Sequence, residues 1–199
     1  MTTLGKLYVF EGPDGVGKSA LADWFASHLR EFGIRCILLS FPGREAGTLG
    51  KHVYELHHDP ARFEIRALSP VSLQLLHVAA HIDAIENRIK PLLADGTTVV
   101  LDRFWWSTFV YGIVGGATSS VLDRTVALER AVWEPVLPDH LFLVTRSEPL
   151  RSEPAKLWLR WREEYLRLSD AERNSHPVVV VPNESLSEAR KRILENLIL

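Results

Sequence analysis

The sequence predicts an α/β fold, a three-layer sandwich with helices on both faces of a parallel five-stranded sheet. Five short apolar, β-branched runs alternate along the chain with longer stretches of helical spacing. The runs are apolar at successive positions, as in parallel strands that are covered on both faces. With 199 residues, of which 46% are hydrophobic, the chain fits a single domain over residues 1–199.

Each element has its own signals. The predicted strands are the runs 7–10, 36–41, 97–101, 141–144 and 178–181. The longest helical pattern starts after Ser69, an N-cap residue with Pro70 in the first turn, and ends before Gly96. Pro91 is expected to bend its last turn, because proline donates no backbone hydrogen bond. The last helix starts with a capping box at Ser185, and further helical patterns cover 18–32 and 121–133.

The most specific motif lies between the first strand and the first helix. Residues 10–19 read Phe-Glu-Gly-Pro-Asp-Gly-Val-Gly-Lys-Ser, which contains Gly-x-x-x-x-Gly-Lys-Ser. Its glycines let the backbone curl so that several N–H groups point at a phosphate, and the helix start adds positive potential. Lys18 supplies a mobile cation and Ser19 a hydroxyl for magnesium. The predicted phosphate-binding residues are Gly12, Pro13, Asp14, Gly15, Val16, Gly17, Lys18, Ser19 and Ala20.

Two other strands are followed by residues suited to phosphate chemistry. Asp102 and Arg103 follow the strand 97–101, and Arg44 follows the strand 36–41 after Pro-Gly. Functional groups of such folds lie at the carboxyl ends of strands. Asp102 is therefore placed to support magnesium, and the two guanidinium groups to hold a phosphate. The alternatives are a surface ion pair at 102–103 and a solvated loop arginine at 44.

Composition and charge exclude several classes of protein. The net charge of -2 and pI near 6.4 make a nucleic-acid partner unlikely. Cys36 is the only cysteine, so no internal disulfide can form. No apolar run approaches the roughly 20 residues that cross a bilayer, so no membrane partner is expected. Residues 1–6 lack the features of a signal peptide, and a cytoplasmic enzyme is expected.

Together these residues resemble the thymidylate kinase family of nucleoside monophosphate kinases, over nearly the whole chain. Besides the phosphate loop, the resemblance rests on Phe-Pro-x-Arg at 41–44, Leu-Gly-Lys at 49–51, Leu-Leu at 75–76, Asp-Arg-Phe at 102–104, Ser-Thr at 107–108, Tyr111, Pro-Asp at 138–139 and Arg-Trp-Arg-x-x-Tyr-Leu at 160–166. It implies a P-loop nucleotide kinase fold, ATP and Mg²⁺ as cofactors, a nucleoside monophosphate substrate and a homodimer.

The resemblance also implies roles for individual positions. Lys18 and the loop amides would hold the ATP phosphates, with Ser19 and Asp102 at Mg²⁺. Arg44 and Arg103 would hold the acceptor phosphate, and Asp14 would contact the acceptor's sugar hydroxyl. The implied catalytic set is Lys18, Arg44, Asp102, Arg103 and Arg151. The implied substrate-binding set is Asp14, Phe41, Arg44, His77, His81, Arg103, Ser107 and Tyr111.

The chain departs from the family at the base pocket. In the long helix the family has a phenylalanine that stacks on thymine and, four residues later, an arginine that reads the base edge. Here these positions are His77 and His81. Histidines one turn apart can also share a metal ion, but no cysteine or carboxylate at a supporting spacing completes a shell. His57 and His58 are expected in a loop after residues 49–56.

The lid is the second departure. The family places a helix and an arginine-bearing lid between the fourth strand and the Arg-x-Arg-x-x-Tyr helix, whereas only residues 145–155 are available here. The chain therefore has a shortened lid, a loop that contains proline. Family members with glycine at the position of Gly15 take a catalytic arginine from the lid, so Arg146 and Arg151 are the local candidates. Loss of an arginine finger costs about 10³- to 10⁵-fold in rate in related chemistry.

Three functions fit these observations. The leading hypothesis is transfer of the ATP γ-phosphate to a pyrimidine nucleoside monophosphate, with dTMP as the first candidate acceptor. The second is a related kinase for a modified nucleotide or for a hydroxyl on a larger substrate, which His77, His81 and the short lid motivate. The third is a nucleotide-binding module without catalysis, because a phosphate loop can bind without efficient transfer.

Overall fold

A five-stranded parallel sheet forms the centre of the molecule, in the order β2-β3-β1-β4-β5. The computed structural model of the chain describes residues 4–197. The predicted fold class is confirmed, and every predicted strand is present within one residue at either end. The strands are β1 Leu7–Glu11, β2 Cys36–Ser40, β3 Thr98–Asp102, β4 His140–Thr145 and β5 Val178–Pro182.

Helices pack on both faces of this sheet. They are α1 Lys18–Glu31, α2 Leu49–His58, α3 Pro70–Ala84, α4 Lys90–Ala94, α5 Trp105–Val114, α6 Ser119–Trp133, α7 Ala155–Glu172 and α8 Leu186–Glu195. On β1, Leu7 and Val9 belong to one hydrophobic core and Tyr8 and Phe10 to the other. Burial on both faces explains why the strands are continuous apolar runs.

The strand register brings three functional segments to one edge of the sheet. Phe10 of β1 and Ser40 of β2 both lie opposite Asp102 of β3. The loops that follow these three strands therefore start side by side at the carboxyl edge, where α/β folds hold their ligands. Residues 146–154 connect β4 to α7 at the same edge without forming a helix, so the shortened lid is confirmed.

The predicted bend at Pro91 takes a different form. A π-helical turn, Ile85–Ile89, separates α3 from α4, and the N–H of Lys90 donates to the carbonyl of Ile85. Pro91 has no N–H for the carbonyl of Asn87, and its ring crowds that carbonyl. The irregularity therefore lies before the proline, as a widened turn within the long helical segment.

The helix boundaries agree with the capping signals. The hydroxyl of Ser69 accepts a hydrogen bond from the N–H of Ser72 at the start of α3, and that of Ser185 accepts from the N–H of Glu188 at the start of α8. Within residues 4–197, none of the helices combines the length and apolar character that a membrane span requires.

Candidate active site

The phosphate loop, residues 12–19, leaves the carboxyl end of β1 in a conformation that only glycine adopts easily. Gly12 has φ 139°, and a β-carbon there would lie 2.2 Å from the carbonyl oxygen of Val144. Gly17 has φ 83° and is the N-cap residue of α1. Larger residues at either position would be strained, so the glycine spacing has a direct steric cause.

Three peptide carbonyls of this loop are bonded to the surrounding structure. Trp158 Nε1 donates to the Asp14 carbonyl, Leu150 N–H to the Gly15 carbonyl and Asn183 Nδ2 to the Val16 carbonyl, each at 2.7 Å. In a trans peptide the N–H that follows a carbonyl points the opposite way. The next three N–H groups therefore face away from these partners, and they have no hydrogen-bond acceptor within residues 4–197. Such a row of open N–H groups is an anion-binding concavity.

The start of α1 adds to the positive potential of the loop. Its N-cap residue is a glycine without a capping side chain, and its first turn contains no acidic residue. Lys18 opens the helix with a side chain that is only 6% exposed. Burial, and next the nearby Arg103, lower the pKa of Lys18 to about 8. The cluster thus holds a cation that an incoming anion would stabilise.

Asp102 offers an unpaired oxygen beside the loop. Ser19 Oγ donates to Asp102 Oδ2 at 2.5 Å, whereas Asp102 Oδ1 is buried without a partner within the described part of the chain. A buried carboxylate oxygen without a partner is unfavourable. A hydroxyl and a carboxylate are hard oxygen ligands of the kind that Mg²⁺ takes alongside substrate phosphates. Ser19 and Asp102 therefore fit the magnesium that the sequence predicts.

Arg103 lies at the centre of a charged cluster. It is ion-paired with Asp14, its Nη1 donates to Ser107 Oγ at 2.9 Å, and its guanidinium lies 5.4 Å from the ring centroid of Tyr111. Burial opposes ionisation of Asp14, but Arg103 and Lys18 hold the pKa of that carboxyl below its usual range. Asp14 therefore remains charged and joins the cations into one network.

The two remaining predicted arginines lie on loops at the same edge of the sheet. Arg44 is in the loop between β2 and α2, and Arg151 is in the loop between β4 and α7. The guanidinium of Arg44 lies 4.6 Å from the ring centroid of Tyr54 on α2. Arg151, in the short loop, is 64% exposed, with Nη2 3.6 Å from Asp14 Oδ2 and Nε 2.6 Å from Glu153 Oε1. The other local candidate, Arg146, donates instead to the carbonyls of residues 148 and 183. Of these two arginines of the short loop, Arg151 is therefore the one that points toward the phosphate loop.

One cavity of about 420 Å³ joins these groups. Its size falls within the range of small-molecule sites. The predicted residues that line it are Asp14, Lys18, Ser19, Phe41, Arg44, His77, His81, Asp102, Arg103, Ser107, Tyr111 and Arg151. The other predicted residues, Gly12, Pro13, Gly15, Val16, Gly17 and Ala20, belong to the loop and the first turn of α1 and do not line the cavity.

The end of the cavity between α2 and α3 is lined by rings. His77 Nε2 lies 3.2 Å from His57 Nδ1, and His81 Nδ1 lies 2.7 Å from Glu129 Oε2 of α6. The ring of His81 stacks on that of Phe41, with 4.2 Å between centroids. Burial, and then the neighbouring histidines, lower the pKa of His77 to about 3, so that this ring is neutral.

Comparison with known proteins identifies this arrangement. The family model described as thymidylate kinase matches residues 10–189. The chain belongs to the thymidylate kinase family. Members are ATP-dependent nucleotide kinases, so the chain is a phosphotransferase with a nucleotide substrate. Neither a larger hydroxyl acceptor nor a module without catalysis is favoured by this membership.

Individual thymidylate kinases match the chain over most of its length. The thymidylate kinase of Ralstonia pickettii (strain 12J) is 33% identical, with 98% of each chain covered. That of Ralstonia nicotianae is 32% identical over 84% of this chain and 86% of the relative. A crystal structure of thymidylate kinase from Ehrlichia chaffeensis covers 98% of this chain and 99% of its own, with a TM-score of 0.74 and 22% identity, and so shows the shared fold.

Several cavity residues of this family member were not predicted. Tyr54, His57 and His58 lie on α2, so the expected loop at His57 and His58 is wrong, because the helix continues through His58. Their spacing of three and four residues places them on one helix face, a signal that periodicity could have revealed. Gln74 and Thr108 also line the cavity; no motif distinguishes Gln74, and Thr108 belongs to the Ser-Thr motif at 107–108 without having been assigned to the site.

Proposed function

We propose that this chain transfers the γ-phosphate of ATP to dTMP with Mg²⁺. The observation that carries the proposal is the convergence of Lys18, Arg44 and Arg103 on one cavity, beside the unpaired oxygen of Asp102. Phosphoryl transfer requires two anions to be placed in line and the charge that develops between them to be neutralised. A row of open N–H groups with three separate cations suits that task.

The donor phosphates are assigned to the phosphate loop. The open N–H groups, the uncapped start of α1 and Lys18 all present positive potential to the same space. Ser19 and Asp102 would hold Mg²⁺, which supplies charge neutralisation at the phosphates when it is bound. The unpaired Asp102 Oδ1 supports this assignment, because a bound Mg²⁺ would give that oxygen a partner.

The acceptor phosphate is assigned to Arg103 and Arg44. Arg103 is partly buried, with 21% of its side chain exposed, and is fixed by Asp14, Ser107 and the ring of Tyr111, whereas Arg44 is exposed on its loop. A planar guanidinium binds phosphate through two parallel N–H groups. Asp14, next to Arg103, is the group proposed to contact the sugar hydroxyl of the acceptor.

The acceptor base is assigned to the ring-lined end of the cavity. His77 is neutral and Phe41 is apolar, so both suit an uncharged pyrimidine ring. His81 is oriented by Glu129 and faces the same space. Gln74 and Thr108 add groups that can hydrogen-bond to the polar edge of a base.

The decisive test is a steady-state assay with ATP, Mg²⁺ and a panel of nucleoside monophosphates. We expect the highest kcat/KM with dTMP, lower values with dUMP and dCMP, and the lowest with purine nucleotides. If folded protein forms no diphosphate from any member of the panel, the proposed function is wrong. A higher kcat/KM with another nucleotide would retain the kinase and replace the acceptor.

A homodimer is proposed on the family resemblance. Helices α3 and α6 pack beside each other and carry large exposed apolar side chains, Leu75 on α3 and Val121 and Leu128 on α6. Light scattering is expected to give twice the mass of 22.5 kDa, and Leu128→Glu is expected to lower it. The cytoplasmic location stays a prediction of the sequence.

A further inference from the structure

Glu11 is a buried charged residue at the junction of the fold and the site. It is the last residue of β1, immediately before the phosphate loop, and its side chain has 0% exposure. It does not line the cavity, so it has no access to a bound nucleotide. A fully buried carboxylate is costly unless it is well paired, which indicates a specific task.

Each of the two carboxylate oxygens of Glu11 accepts two hydrogen bonds. Oε1 accepts from the N–H of Phe104 at 2.8 Å and of Ser107 at 2.9 Å. Oε2 accepts from the N–H of Gly12 at 3.1 Å and from Ser107 Oγ at 2.9 Å. Three of the four partners are backbone N–H groups, which can only donate, and Ser107 Oγ donates while it accepts from Arg103 Nη1, so the site suits an accepting carboxylate. Burial raises the pKa of Glu11, and the nearby Arg103 and Lys18 oppose that rise.

Two of these bonds cap a helix from a distant strand. Helix α5 starts at Trp105, and its N-cap residue Phe104 offers no capping side chain. The N–H of Ser107, in the first turn, has only a short-range internal acceptor, the carbonyl of Phe104 at 3.1 Å. Glu11 adds a second acceptor at 2.9 Å and places a carboxylate at the positive end of α5.

The bond from Ser107 Oγ links Glu11 to Arg103. Ser107 Oγ donates to Glu11, accepts from Arg103 Nη1 and lies 2.8 Å from the hydroxyl of Tyr165. The backbone of Arg103 has φ 87°, in the left-handed region that disfavours non-glycine residues. Its N–H donates to the carbonyl of Phe10 at 2.9 Å. Arg103 is therefore held on both sides, by Phe10 on its backbone and by Glu11 through Ser107 and Phe104.

We propose that Glu11 is a positioning residue that fixes the guanidinium of Arg103 relative to the start of the phosphate loop. One carboxylate bonds to Gly12 of the loop and to the two segments that flank Arg103. The distance between the donor site and the acceptor clamp thereby depends on this buried group, in addition to the ion pair of Arg103 with Asp14 and its backbone bond to Phe10. The inference depends on the proposed function, in which Arg103 binds the acceptor phosphate.

Glu11→Gln is the sharpest test, because it conserves volume. One terminal atom of glutamine is an NH₂ group, which faces at least one backbone N–H donor in either amide orientation. We expect KM for the acceptor found in the panel to rise at least about tenfold and kcat to fall, with KM for ATP changed less than about threefold. A role in folding alone would lower stability and leave the KM of the folded enzyme unchanged.

Asp139→Asn, at an exposed position, is the control for the exchange of a carboxylate for an amide. Asp139 also accepts from a backbone N–H of β1, that of Leu7 at 2.8 Å, but at the opposite end of the strand. It repeats the exchange of a carboxylate for an amide far from the cavity. We expect a loss of thermal stability with KM unchanged for both substrates. An equal rise of the acceptor KM in this variant would overturn the positioning role of Glu11.

A double-mutant cycle with Arg103→Ala tests the route of the effect. If Glu11 acts through Arg103, Glu11→Gln changes acceptor kcat/KM by less than about threefold once Arg103 is absent. Additive losses would contradict the inference. If Glu11→Gln does not fold, Glu11→Asp replaces it in the cycle. Aspartate keeps the carboxylate, but its shorter side chain moves the carboxylate away from the N–H groups of Phe104 and Ser107. Wild-type activity on the panel decides the proposed function separately.

Discussion

The two ends of the cavity are built in different ways. The phosphate end is lined by Asp14, Lys18 and Arg103, from the segments that follow β1 and β3, and the open N–H groups belong to the adjoining residues of the phosphate loop. The base end consists of rings from α2, α3 and the loop after β2, among them His57, His77 and Phe41. The first depends on backbone shape, which glycines and strand register impose. The second depends on side-chain identity, so it can change while the fold and the phosphate chemistry remain.

The two ends also differ in charge. At the phosphate end, Lys18, Arg103 and Arg151 all lie within 4.0 Å of Asp14. At the base end, His77 is neutral because its pKa is lowered to about 3. Positive charge is thus concentrated near the phosphate loop. In the proposed function, this polarity would orient the acceptor nucleotide with its phosphate toward the phosphate loop.

The largest expected effect comes from the phosphate end. Lys18→Met should lower kcat by about 10⁴-fold, because the cation at the donor phosphates is lost. Steady-state turnover with ATP and dTMP measures it. His52→Ala, an exposed residue of α2 outside the cavity, is the control and should have normal kcat. Turnover within tenfold of wild type in Lys18→Met would contradict the assignment.

The same substitution should stabilise the free protein. The pKa of Lys18 is lowered to about 8 from 10.5, so the charged form is disfavoured in the folded state. The contribution of Lys18 to folding stability is therefore most favourable above pH 10.5, and it is lost as the pH falls through about 8. At pH 7, Lys18→Met should raise the free energy of unfolding by up to about 3 kcal/mol. Urea denaturation should show this gain shrinking toward pH 10.

The next effect tests the short loop. Arg151→Ala should lower kcat by about 10³-fold, with KM for both substrates nearly unchanged, if Arg151 neutralises charge in the transition state. Arg146→Ala is the matched control from the same loop, because Arg146 is turned to backbone carbonyls. A larger loss in Arg146→Ala than in Arg151→Ala would reverse the assignment.

A smaller effect is expected at the proposed acceptor clamp, where a substitution should affect dTMP but not ATP. Arg103→Ala should lower kcat/KM for dTMP by about 10²-fold, because a charged hydrogen-bonding group is removed from the acceptor phosphate. ATP binding, measured by calorimetry, should change little. Arg62→Ala, an exposed arginine outside the cavity, should change neither substrate. Unaltered use of dTMP by Arg103→Ala would disprove the clamp.

The smallest expected effect belongs to the base end. His81→Leu should reduce the preference for dTMP over dCMP by about tenfold, because the ring oriented by Glu129 is lost. KM for ATP should stay within about twofold. The ratio of kcat/KM for the two acceptors is the measurement. A large loss of ATP affinity would show that the two ends are not independent.

The sequence predicts the fold and the phosphate end well, because local patterns determine both. The apolar runs determine the strands, and Gly12 and Gly17 mark turns that only glycine allows. The side chains of Asp102 and Arg103 are placed by the end of β3. Parallel register then brings these segments together without further information.

The rest depends on contacts between distant residues. Glu11 bonds to Ser107, 96 positions away, and Asn183 bonds to Val16 across 167 positions. Neither pairing follows from spacing along the chain. The helix α2 continues through His57 and His58, whose helix propensity is weak; their spacing from Tyr54 is compatible with one helix face, and packing of α2 on α3 stabilises it. Side-chain roles at the base end therefore required the three-dimensional structure.

The bonds to the carbonyls of Asp14, Gly15 and Val16 have a kinetic consequence. These peptides are already immobilised in the free protein, so the conformational entropy of the loop is lost during folding rather than on nucleotide capture. The proposed ATP site is therefore preorganised, and we expect ATP association to be governed by diffusion and electrostatic steering instead of loop ordering.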